Sequence, residues 1–560
     1  MSTPRTDSVQ QDAPGEGTAQ VPPAQRAAAP TPSLAKASGS MAIATLVSRI
    51  TGFFWKIMLA WVVGTDVVSD SFTIANTLPN IIFELLLGGV LASIVVPLLV
   101  RSQDDPDGGA EYTNRLLTVG LTGLAVGTVV AVAAAPLFTW LYVDDSTGRA
   151  TPDLVTAFAY LLLPEILFYG LFALLSAILQ ARQVFGPTAW APVVNNLVII
   201  ATLGAYALLP GELTVDPVRM TDAHVLTLGI GVTLGIVVQS VMLLPALRRV
   251  GLRFRWTWGI DARLKEFGGL ALWILGYVAV SQVGMVITQR VLTAAAEGGA
   301  TIYANAWLLF QLPYGVIGVS LLTAILPRMS RAAAAGDTAK LVDDLSVGAR
   351  LSTVMLVPIS AVLTVTGSAV GVALFNNGET TFAAAQRLGL ALAFSAFGLL
   401  PYALVMLQLR VFYAMKDART PTLIMVVMTV VKIPLMYMTA AVVRPDQVVI
   451  GVLLVNSLTF VVGAVLGQMW LWVRLGNLHS KKVVKVIAMS VVAGVAGVAA
   501  GWLVTRLVLP AGVEGRVSAW VALVVQGLVA SVVAFGVLAL FRVPELKPAT
   551  SRITRLVRRG

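Results

Sequence analysis

Apolar runs of membrane-spanning length recur along the chain, and short polar connections separate them. Two of these runs, 119–137 and 491–504, contain almost no polar residues. A helix needs about 20 mostly apolar residues to cross a bilayer, so the pattern predicts an all-α, polytopic membrane protein with about 14 transmembrane helices. The predicted ranges are 41–64, 72–100, 114–142, 154–181, 188–209, 224–247, 267–292, 300–327, 343–367, 384–411, 421–443, 447–474, 483–508 and 518–541.

The composition agrees with lipid as the solvent of this chain. Of its 560 residues, 57% are hydrophobic and only 12% are charged, whereas about a quarter of the residues in a soluble domain are charged. A water-soluble globule is therefore excluded. The sequence has no cysteine, which excludes disulfides, thiolate catalysis and cysteine-ligated metals, and its two histidines leave little for other metal or imidazole chemistry.

The connections between the predicted helices alternate in charge. The basic set contains Arg101, Arg182, Arg248, Arg249, Arg253, Arg255, Arg263, Lys265, Arg328, Arg331, Lys340, Lys416, Arg419, Lys481, Lys482 and Lys485. The mainly acidic set contains Asp66, Asp70, Asp144, Asp145, Asp153, Glu212, Asp216, Asp222, Glu297, Glu379 and Glu514. Basic residues near helix ends stay on the cytoplasmic side, so we expect a multi-pass protein of the bacterial inner membrane with both termini cytoplasmic. This arrangement explains the net charge of +11 without a nucleic acid partner.

The two ends of the chain are predicted to lie outside the membrane. Residues 1–40 are rich in Pro, Ala, Gln, Ser and Thr and cannot bury enough apolar surface to order themselves. We therefore expect a disordered cytoplasmic tail there. Residues 542–560 are predicted to form a second, basic cytoplasmic tail.

Short motifs repeat between the two halves of the chain. The turn LQARQVFGPT at 179–188 is matched by YAMKDARTPT at 413–422, and Ala75-Asn76 is matched by Ala304-Asn305. The repeat predicts an N-lobe over 41–250 and a C-lobe over 251–478, each of six helices, with helices 13 and 14 added at 479–541. Parallel repeats of this kind occur in transporters, where the substrate lies between the lobes near the bilayer midplane.

Polar side chains at membrane depth concentrate in the first two helices of each predicted lobe. Each ionisable group there costs a few kcal/mol, so each one indicates function by default. The residues predicted to line a central cavity and bind substrate are Arg49, Lys56, Asp70, Asn76, Glu84, Arg290 and Asn305. Several cations in one cavity suit an anionic substrate, above all a phosphate or diphosphate, which arginine binds bidentately.

Structural explanations for the same side chains remain open. Arg49 is close enough to the cytoplasmic side to extend its head group to the interface, and Lys56 could form a salt bridge with Glu84. Arg290 could have a structural partner near the external surface. Two further groups beside prolines, Glu165 and Lys432, are either polar residues associated with helix kinks or part of an ion path.

Taken together, these residues resemble the MurJ (MviN) lipid II flippase family of the multidrug, oligosaccharidyl-lipid and polysaccharide exporter superfamily. The resemblance runs from about Ser40 to Arg474. The motifs that carry it are SRITGF at 48–53, SDSF at 69–72 with Leu78-Pro79-Asn80, Gly88-Gly89 with Val96-Pro97, YANAWLLFQLPYGVIGVSLLTAILP at 303–327, and FYAMKDARTP at 412–421.

The resemblance implies a fold, a substrate and some of the site residues. It implies 14 helices in two lobes around a cationic cavity, which opens alternately inward and outward and carries undecaprenyl-diphosphate-linked peptidoglycan precursor to the outer leaflet. Arg49 matches a cavity arginine of the family and Asp70 matches an acidic residue of helix 2. Where many members have a charged residue, this chain has Trp55, Phe83, Gly88 and Leu308. We expect Lys56, Glu84 and Arg290 to supply charge from neighbouring positions.

Several other functions were weighed against this one. The nearest is export of another polyprenyl-diphosphate-linked glycan, or of a drug, on the same fold, although a drug exporter would need acidic rather than basic cavity residues. A membrane enzyme would need a cluster of carboxylates, whereas the acidic residues here are scattered, so we expect no enzyme. A scaffold for cell-wall synthesis proteins is a further alternative. The sequence has no Walker motif, so we expect no cofactor and consider the membrane potential or an ion gradient as the driving force.

Overall fold

The computed structural model describes residues 32–85, 95–144, 146, 151–211, 213, 218–259, 268–509 and 512–546. The helices of the first half are α1 (Pro32–Val62), α2 (Val67–Ala75), α3 (Thr77–Leu85), α4 (Val96–Ser102), α5 (Ala110–Ala133), α6 (Ala135–Tyr142), α7 (Pro152–Leu162), α8 (Glu165–Ala181), α9 (Gly186–Tyr206), α10 (Ala223–Val241) and α11 (Leu244–Arg249). Those of the second half are α12 (Gly268–Ala295), α13 (Gly299–Pro313), α14 (Val319–Ala334), α15 (Thr338–Phe375), α16 (Phe382–Ser395), α17 (Leu399–Ala414), α18 (Arg419–Val442), α19 (Val448–Leu475), α20 (Ser480–Val508) and α21 (Arg516–Leu540).

These helices match the predicted spans closely. Each of the fourteen predicted ranges overlaps one or more of them, and 12 helices or joined helix pairs in the described residues are long and apolar enough to cross a membrane. The all-α, polytopic fold class is therefore confirmed. The helix α1 begins at Pro32, so residues 32–40 of the predicted tail are helical. Proline is favoured at the first position of a helix, where its missing N–H costs nothing. Residues 1–31 and 547–560 lie outside the described part of the chain.

Several predicted spans are interrupted in the described residues, and two of them belong to the polar pairs singled out from the sequence. In the second span, Asn76 ends α2 and α3 begins at Thr77. In the eighth span, α13 ends at Pro313 and a five-residue π-helical segment, Tyr314–Gly318, precedes α14. A π-helical turn inside a helix is rare and often lies at a functional site. The two interruptions therefore place irregular backbone in corresponding helices of the two halves.

The packing groups most helices by half of the chain. In the first half, α9 packs against α1 and α10, and α8 packs against α5 and α10. In the second half, α15 packs against α16, and α19 packs against α16, α17 and α18. The last pair, α20 and α21, packs on itself and on α15, as expected for helices outside the repeat. The surface is apolar along many helices, with Val129 and Val532 about 70% exposed, as lipid-facing positions require.

The charged connections distinguish the two ends of the bundle. We call the end that carries Asp66, Asp144, Asp222 and Glu379 the acidic end, and the end that carries Arg101, Arg182, Arg328 and Lys416 the basic end. The connection after α11 lies at the basic end, where Leu252, Arg255 and Thr257 contact the N-lobe, and the next described helix is α12.

Candidate functional site

At the acidic end, Asp70 joins the two lobes. The backbone N–H of Thr301, in the first turn of α13, donates a hydrogen bond to Asp70 Oδ1 at 2.8 Å, and the Thr301 hydroxyl lies 3.1 Å from Ser69 Oγ. The first N–H groups of a helix have no partner within it and carry partial positive charge, so a carboxylate is well placed there. We call Ser69, Asp70 and Thr301 the latch. Asp70 is only 7% exposed, so in this conformation it lies in the seam between the lobes.

Close backbone contact makes the latch possible. Gly298, which precedes α13, has a φ of +74°, and a Cβ at this position would overlap the carbonyl oxygen of Thr65. Only glycine adopts such a backbone without strain and also leaves this space free. The ends of α2 and α13 therefore approach each other at a position where any residue other than glycine would be strained.

A second set of hydrogen bonds joins the end of α1 to the C-lobe. The indole N–H of Trp61 donates to the carbonyl oxygen of Leu374 at 2.8 Å, and the N–H of Glu379 donates to the carbonyl oxygen of Trp61 at 3.0 Å. The hydroxyl of Thr380 donates to the carbonyl oxygen of Ala60 at 2.6 Å. The Glu379 bond gives the Trp61 carbonyl, near the C-terminal end of α1, a partner that the helix does not supply, and the Ala60 carbonyl accepts from both Thr380 and the N–H of Gly64.

Arg290 makes the third inter-lobe contact at this end. Its Nη2 lies 3.3 Å from Asp144 Oδ2 and its Nη1 donates to the carbonyl oxygen of Trp140 at 3.0 Å, while the N–H of Asp144 donates to Thr293 Oγ1 at 3.1 Å. Hydrogen bonds from Ser146 and the charge of Arg290 lower the pKa of the Asp144 carboxyl, although partial burial opposes the shift. The structure thus provides the structural partner that was one of the two explanations for Arg290.

Towards the basic end, Arg49 lies against the other lobe. Its Nη1 is 2.7 Å from the position that a Cβ on Gly315 would take, so the guanidinium rests on the π-helical segment of the eighth span. Among the described residues, no carboxylate lies within 4 Å of this guanidinium, and its side chain is exposed. Arg49 is therefore a cation without a salt-bridge partner in the described part, and it faces the C-lobe from the first helix of the N-lobe.

Lys56 lies seven residues beyond Arg49 on α1. Its Nζ sits 4.2 Å from the ring centroid of the neighbouring Trp55, an arrangement that stabilises a cation through the ring quadrupole. No described carboxylate forms a salt bridge with it. The proposed partner Glu84 has a side chain outside the described residues, so that pairing stays a prediction.

The two matched asparagines are both buried. Asn76 is 6% exposed and forms the C-cap of α2, and Asn305 is 5% exposed within α13. The backbone carbonyl of Asn76 accepts a hydrogen bond of 2.6 Å from the side-chain amide of Asn80, whose own oxygen accepts from the Tyr169 hydroxyl at 3.3 Å. The break in the second span is thus tied to α8 of the same lobe.

Six of the seven predicted residues divide into groups, and the side chain of the seventh, Glu84, lies outside the described residues. Asp70 and Arg290 lie in the acidic-end seam, Arg49 and Lys56 are cations without a described carboxylate partner, and the asparagines are buried in the interrupted helices. Sequence reasoning missed the seam residues Trp61, Thr301 and Gly298. The glycine pair at 298–299, within an acidic connection, is the one signal that could have pointed to them.

Comparison with known proteins places this geometry in context. A family model described as "Lipid II flippase MurJ" matches residues 59–522. The probable lipid II flippase MurJ of Rhizobium meliloti (strain 1021) is 26% identical over 545 residues, covering 94% of this chain and 97% of the relative. The lipid II flippase MurJ of Burkholderia cenocepacia is 27% identical over 390 residues, covering 67% of this chain and 72% of the relative.

Solved structures share the fold. A structure described as "Lipid II flippase MurJ, inward closed conformation" has a TM-score of 0.69 at 19% identity and covers 88% of this chain and 97% of that one. An inward-facing multidrug resistance transporter of the MATE family has a TM-score of 0.53 at 15% identity, covering 80% of this chain and 94% of that one. At these identities the likeness concerns the fold alone.

Proposed function

Because the chain belongs to the lipid II flippase MurJ family, we propose that it translocates lipid II, the undecaprenyl-diphosphate-linked peptidoglycan precursor, from the inner to the outer leaflet of the bacterial inner membrane. The family match and the relatives that carry this name support the substrate. The observation in this chain that supports the chemistry is Arg49, a cation without a described carboxylate partner that lies between the lobes. It is a transporter by family, and both termini are proposed to be cytoplasmic.

The described contacts suggest how the substrate is admitted. The lobes are joined at the acidic end by the latch, by the Trp61 bonds and by Arg290. We therefore propose that this conformation admits the head group from the basic, cytoplasmic end. The diphosphate is bound by Arg49, since a guanidinium presents paired donors to phosphate oxygens. The polyprenyl tail stays in lipid, so that only the polar head group crosses between the lobes and avoids the cost of entering hydrocarbon.

Outward opening then requires the acidic-end seam to separate. The interruptions at Asn76 and at Tyr314–Gly318 lie in the two helices that carry the latch, one in each lobe. A helix bends at such irregular turns more readily than within a regular segment. We propose that these breaks let the latch ends of α2 and α13 move apart while the rest of each lobe stays packed.

The driving force in this proposal is the membrane potential or an ion gradient, with no cofactor. An inside-negative potential acts on a charge that crosses the membrane with about 2.3 kcal/mol per 100 mV. It favours outward movement of an anionic head group, and it favours the inward return of the empty cationic site.

The test is transport by the purified full-length chain in liposomes that contain fluorescent lipid II on one leaflet. We expect the fraction of lipid II that becomes accessible to an external reagent to rise with time. Arg49→Gln should slow this rise at least tenfold, since a charge-assisted contact to a diphosphate is worth more than about 1.4 kcal/mol, whereas Arg49→Lys should retain part of the rate. Arg506→Gln, which removes a cation that stacks on Trp502 in α20, serves as the matched control.

Two outcomes would contradict the proposal. If Arg49→Gln transported lipid II as fast as the unchanged chain, Arg49 would not bind the diphosphate. If lipid II did not move but another polyprenyl-diphosphate glycan did, the chain would be an exporter of that glycan instead.

A further inference from the structure

The connection between the lobes carries a row of exposed aromatic residues that the transport proposal does not use. After α11 ends at Arg249, residues 253–258 read RFRWTW, with aromatic residues at every second position. We call these six residues the aromatic strip. The strip is not helical and lies at the basic end of the bundle, before α12 begins at Gly268.

The backbone of the strip is fixed to α5. The N–H of Arg255 donates to Asn114 Oδ1 and the N–H of Thr257 donates to Thr118 Oγ1, each at 3.0 Å. The two acceptors are one helical turn apart, about 6 Å, and two residues of an extended chain span about 6.6 Å. The match means that the strip runs alongside the axis of α5. It is further held by Leu252, which is 5% exposed and packs in the N-lobe core.

The side of the strip that carries the aromatic rings has no described cover. Phe254, Trp256 and Trp258 are 45%, 57% and 60% exposed. Their rings contact one another in sequence, edge to face, with centroids 5.9 Å apart in both pairs. Arg253 and Arg255 alternate with them and are also exposed. An exposed apolar row of this kind marks an interaction surface.

The position of the strip along α5 indicates what covers it. The strip bonds to the second and third turns of α5, whereas Val126, Val129 and Val130, which are 58–69% exposed, lie two to four turns further along the helix. At about 1.5 Å per residue, the strip is roughly 12–24 Å from these lipid-facing valines along the helix axis. This is the depth at which the hydrocarbon gives way to head groups, where tryptophan is enriched.

We propose that the aromatic strip is an interfacial anchor that binds the anionic phospholipid surface of the leaflet at the basic end. The rings of Phe254, Trp256 and Trp258 enter the boundary between head groups and acyl chains, because a ring with one polar edge suits a region that is apolar below and wet above. Arg253 and Arg255 pair with lipid phosphates. The anchor holds the inter-lobe connection on the N-lobe. This inference does not depend on the identity of the transported lipid.

Site-directed spin labelling tests the anchor directly, because the chain has no cysteine of its own. Each residue from Arg253 to Trp258 is replaced singly by Cys in the full-length chain, labelled, and placed in phosphatidylcholine vesicles with and without phosphatidylglycerol. We expect labels at the three aromatic positions to be accessible to oxygen and protected from a water-soluble nickel chelate. Labels at Arg253 and Arg255 should show the reverse. Val129→Cys and Asp104→Cys give the lipid and water reference values.

Two results would overturn the anchor. If all six labels were as accessible to the nickel chelate as the label at Asp104→Cys, the strip would lie in water. If the aromatic positions were shielded from both reagents, the strip would be covered by protein rather than lipid.

The role of the arginines has its own test. In the chain labelled at Trp256→Cys, added phosphatidylglycerol should increase protection from the nickel chelate, and R253Q/R255Q should remove most of this increase, because each arginine near an anionic surface contributes about fivefold to binding. The matched control is R248Q/R249Q, which removes the same charge from α11, outside the strip. An equal loss in both double variants would show general attraction of a basic surface and would refute phosphate binding by the strip.

Discussion

The two ends of the lobe interface are held in different ways. At the acidic end, hydrogen bonds between backbone groups and short side chains join α1, α2 and α13 to the opposite lobe, and glycines allow the close approach. Towards the basic end, a long cation, Arg49, rests on Gly315. Short, directional contacts fix one geometry, whereas a long charged side chain can follow a moving partner. The comparison suggests that the acidic end sets the conformation and the basic end receives the substrate.

Gly298→Ala is expected to have the largest effect on the contacts that close the acidic end. The alanine would have to adopt a φ of +74° and its Cβ would overlap the Thr65 carbonyl oxygen, and such strain costs about 1–3 kcal/mol. The latch should therefore close about 5- to 150-fold less often. Closure can be measured by oxidative crosslinking of Ser69→Cys with Thr301→Cys, whose native hydroxyl oxygens are 3.1 Å apart. This pair leaves the bond from the Thr301 N–H to Asp70 intact.

Gly211→Ala is the matched control for that experiment. Gly211 also has a positive φ, +85°, but a Cβ there meets no atom within 4 Å. It would add similar backbone strain in a connection without touching the seam, so crosslinking should remain near that of the parent chain. A similar loss of crosslinking in both variants would show that the contact with Thr65 is irrelevant to closure.

Asp70→Asn should weaken the latch less. Asparagine still accepts the hydrogen bond from the Thr301 N–H, but it removes the negative charge at the N-terminus of α13, which is worth about 0.3–1 kcal/mol and up to about 2 kcal/mol when partly buried. We expect crosslinking to fall several-fold. The control is Asp66→Asn, because Asp66 caps α2 within its own lobe by accepting from the N–H of Val68 at 3.0 Å. Equal effects of the two variants would assign the loss to α2 rather than to the inter-lobe bond.

Gly315→Ala tests the other end of the interface. The new Cβ would lie 2.7 Å from Arg49 Nη1, and the flexible guanidinium can move away without unfolding either helix. Transport of lipid II should fall a few-fold, while crosslinking of the latch stays unchanged. In an Arg49→Gln background the same glycine change should have no further effect, since coupled residues are non-additive. Gly204→Ala, which meets no atom within 4 Å, is the control. Additive effects would show that Gly315 acts independently of Arg49.

The sequence predicts the spans well and the seam poorly, for a physical reason. Lipid offers no hydrogen-bond partner to exposed backbone groups, so segments that cross it are mainly helical, apolar length marks the crossings, and polar residues such as Arg49 are noticeable within them. Which helix faces meet is decided by local shape: Gly298 and Gly378 leave room for the carbonyl oxygens of Thr65 and Trp61. Hydrophobic runs do not encode such fits. The same holds for Arg290, because its partner Asp144 lies far away in the sequence.

The Arg290–Asp144 pair should contribute least to closure of the acidic end. Replacing each residue separately distinguishes a structural role of Arg290 from a role in substrate binding. Both side chains are about 30% exposed, and such pairs are worth about 0–1 kcal/mol, so Arg290→Gln and Asp144→Asn should lower crosslinking slightly and equally. If Arg290 also bound the diphosphate, only Arg290→Gln would slow transport.

The pH dependence of latch crosslinking gives an independent check of the Arg290–Asp144 pair. The folded protein holds the pKa of Asp144 below its ordinary 3.8, so the contribution of the pair is fully present at neutral pH and is lost only as the pH falls through that lowered pKa. Crosslinking that weakened between pH 8 and pH 5 by an amount that Asp144→Asn abolished would contradict this assignment, because the carboxylate would then be taking up its proton above its ordinary range.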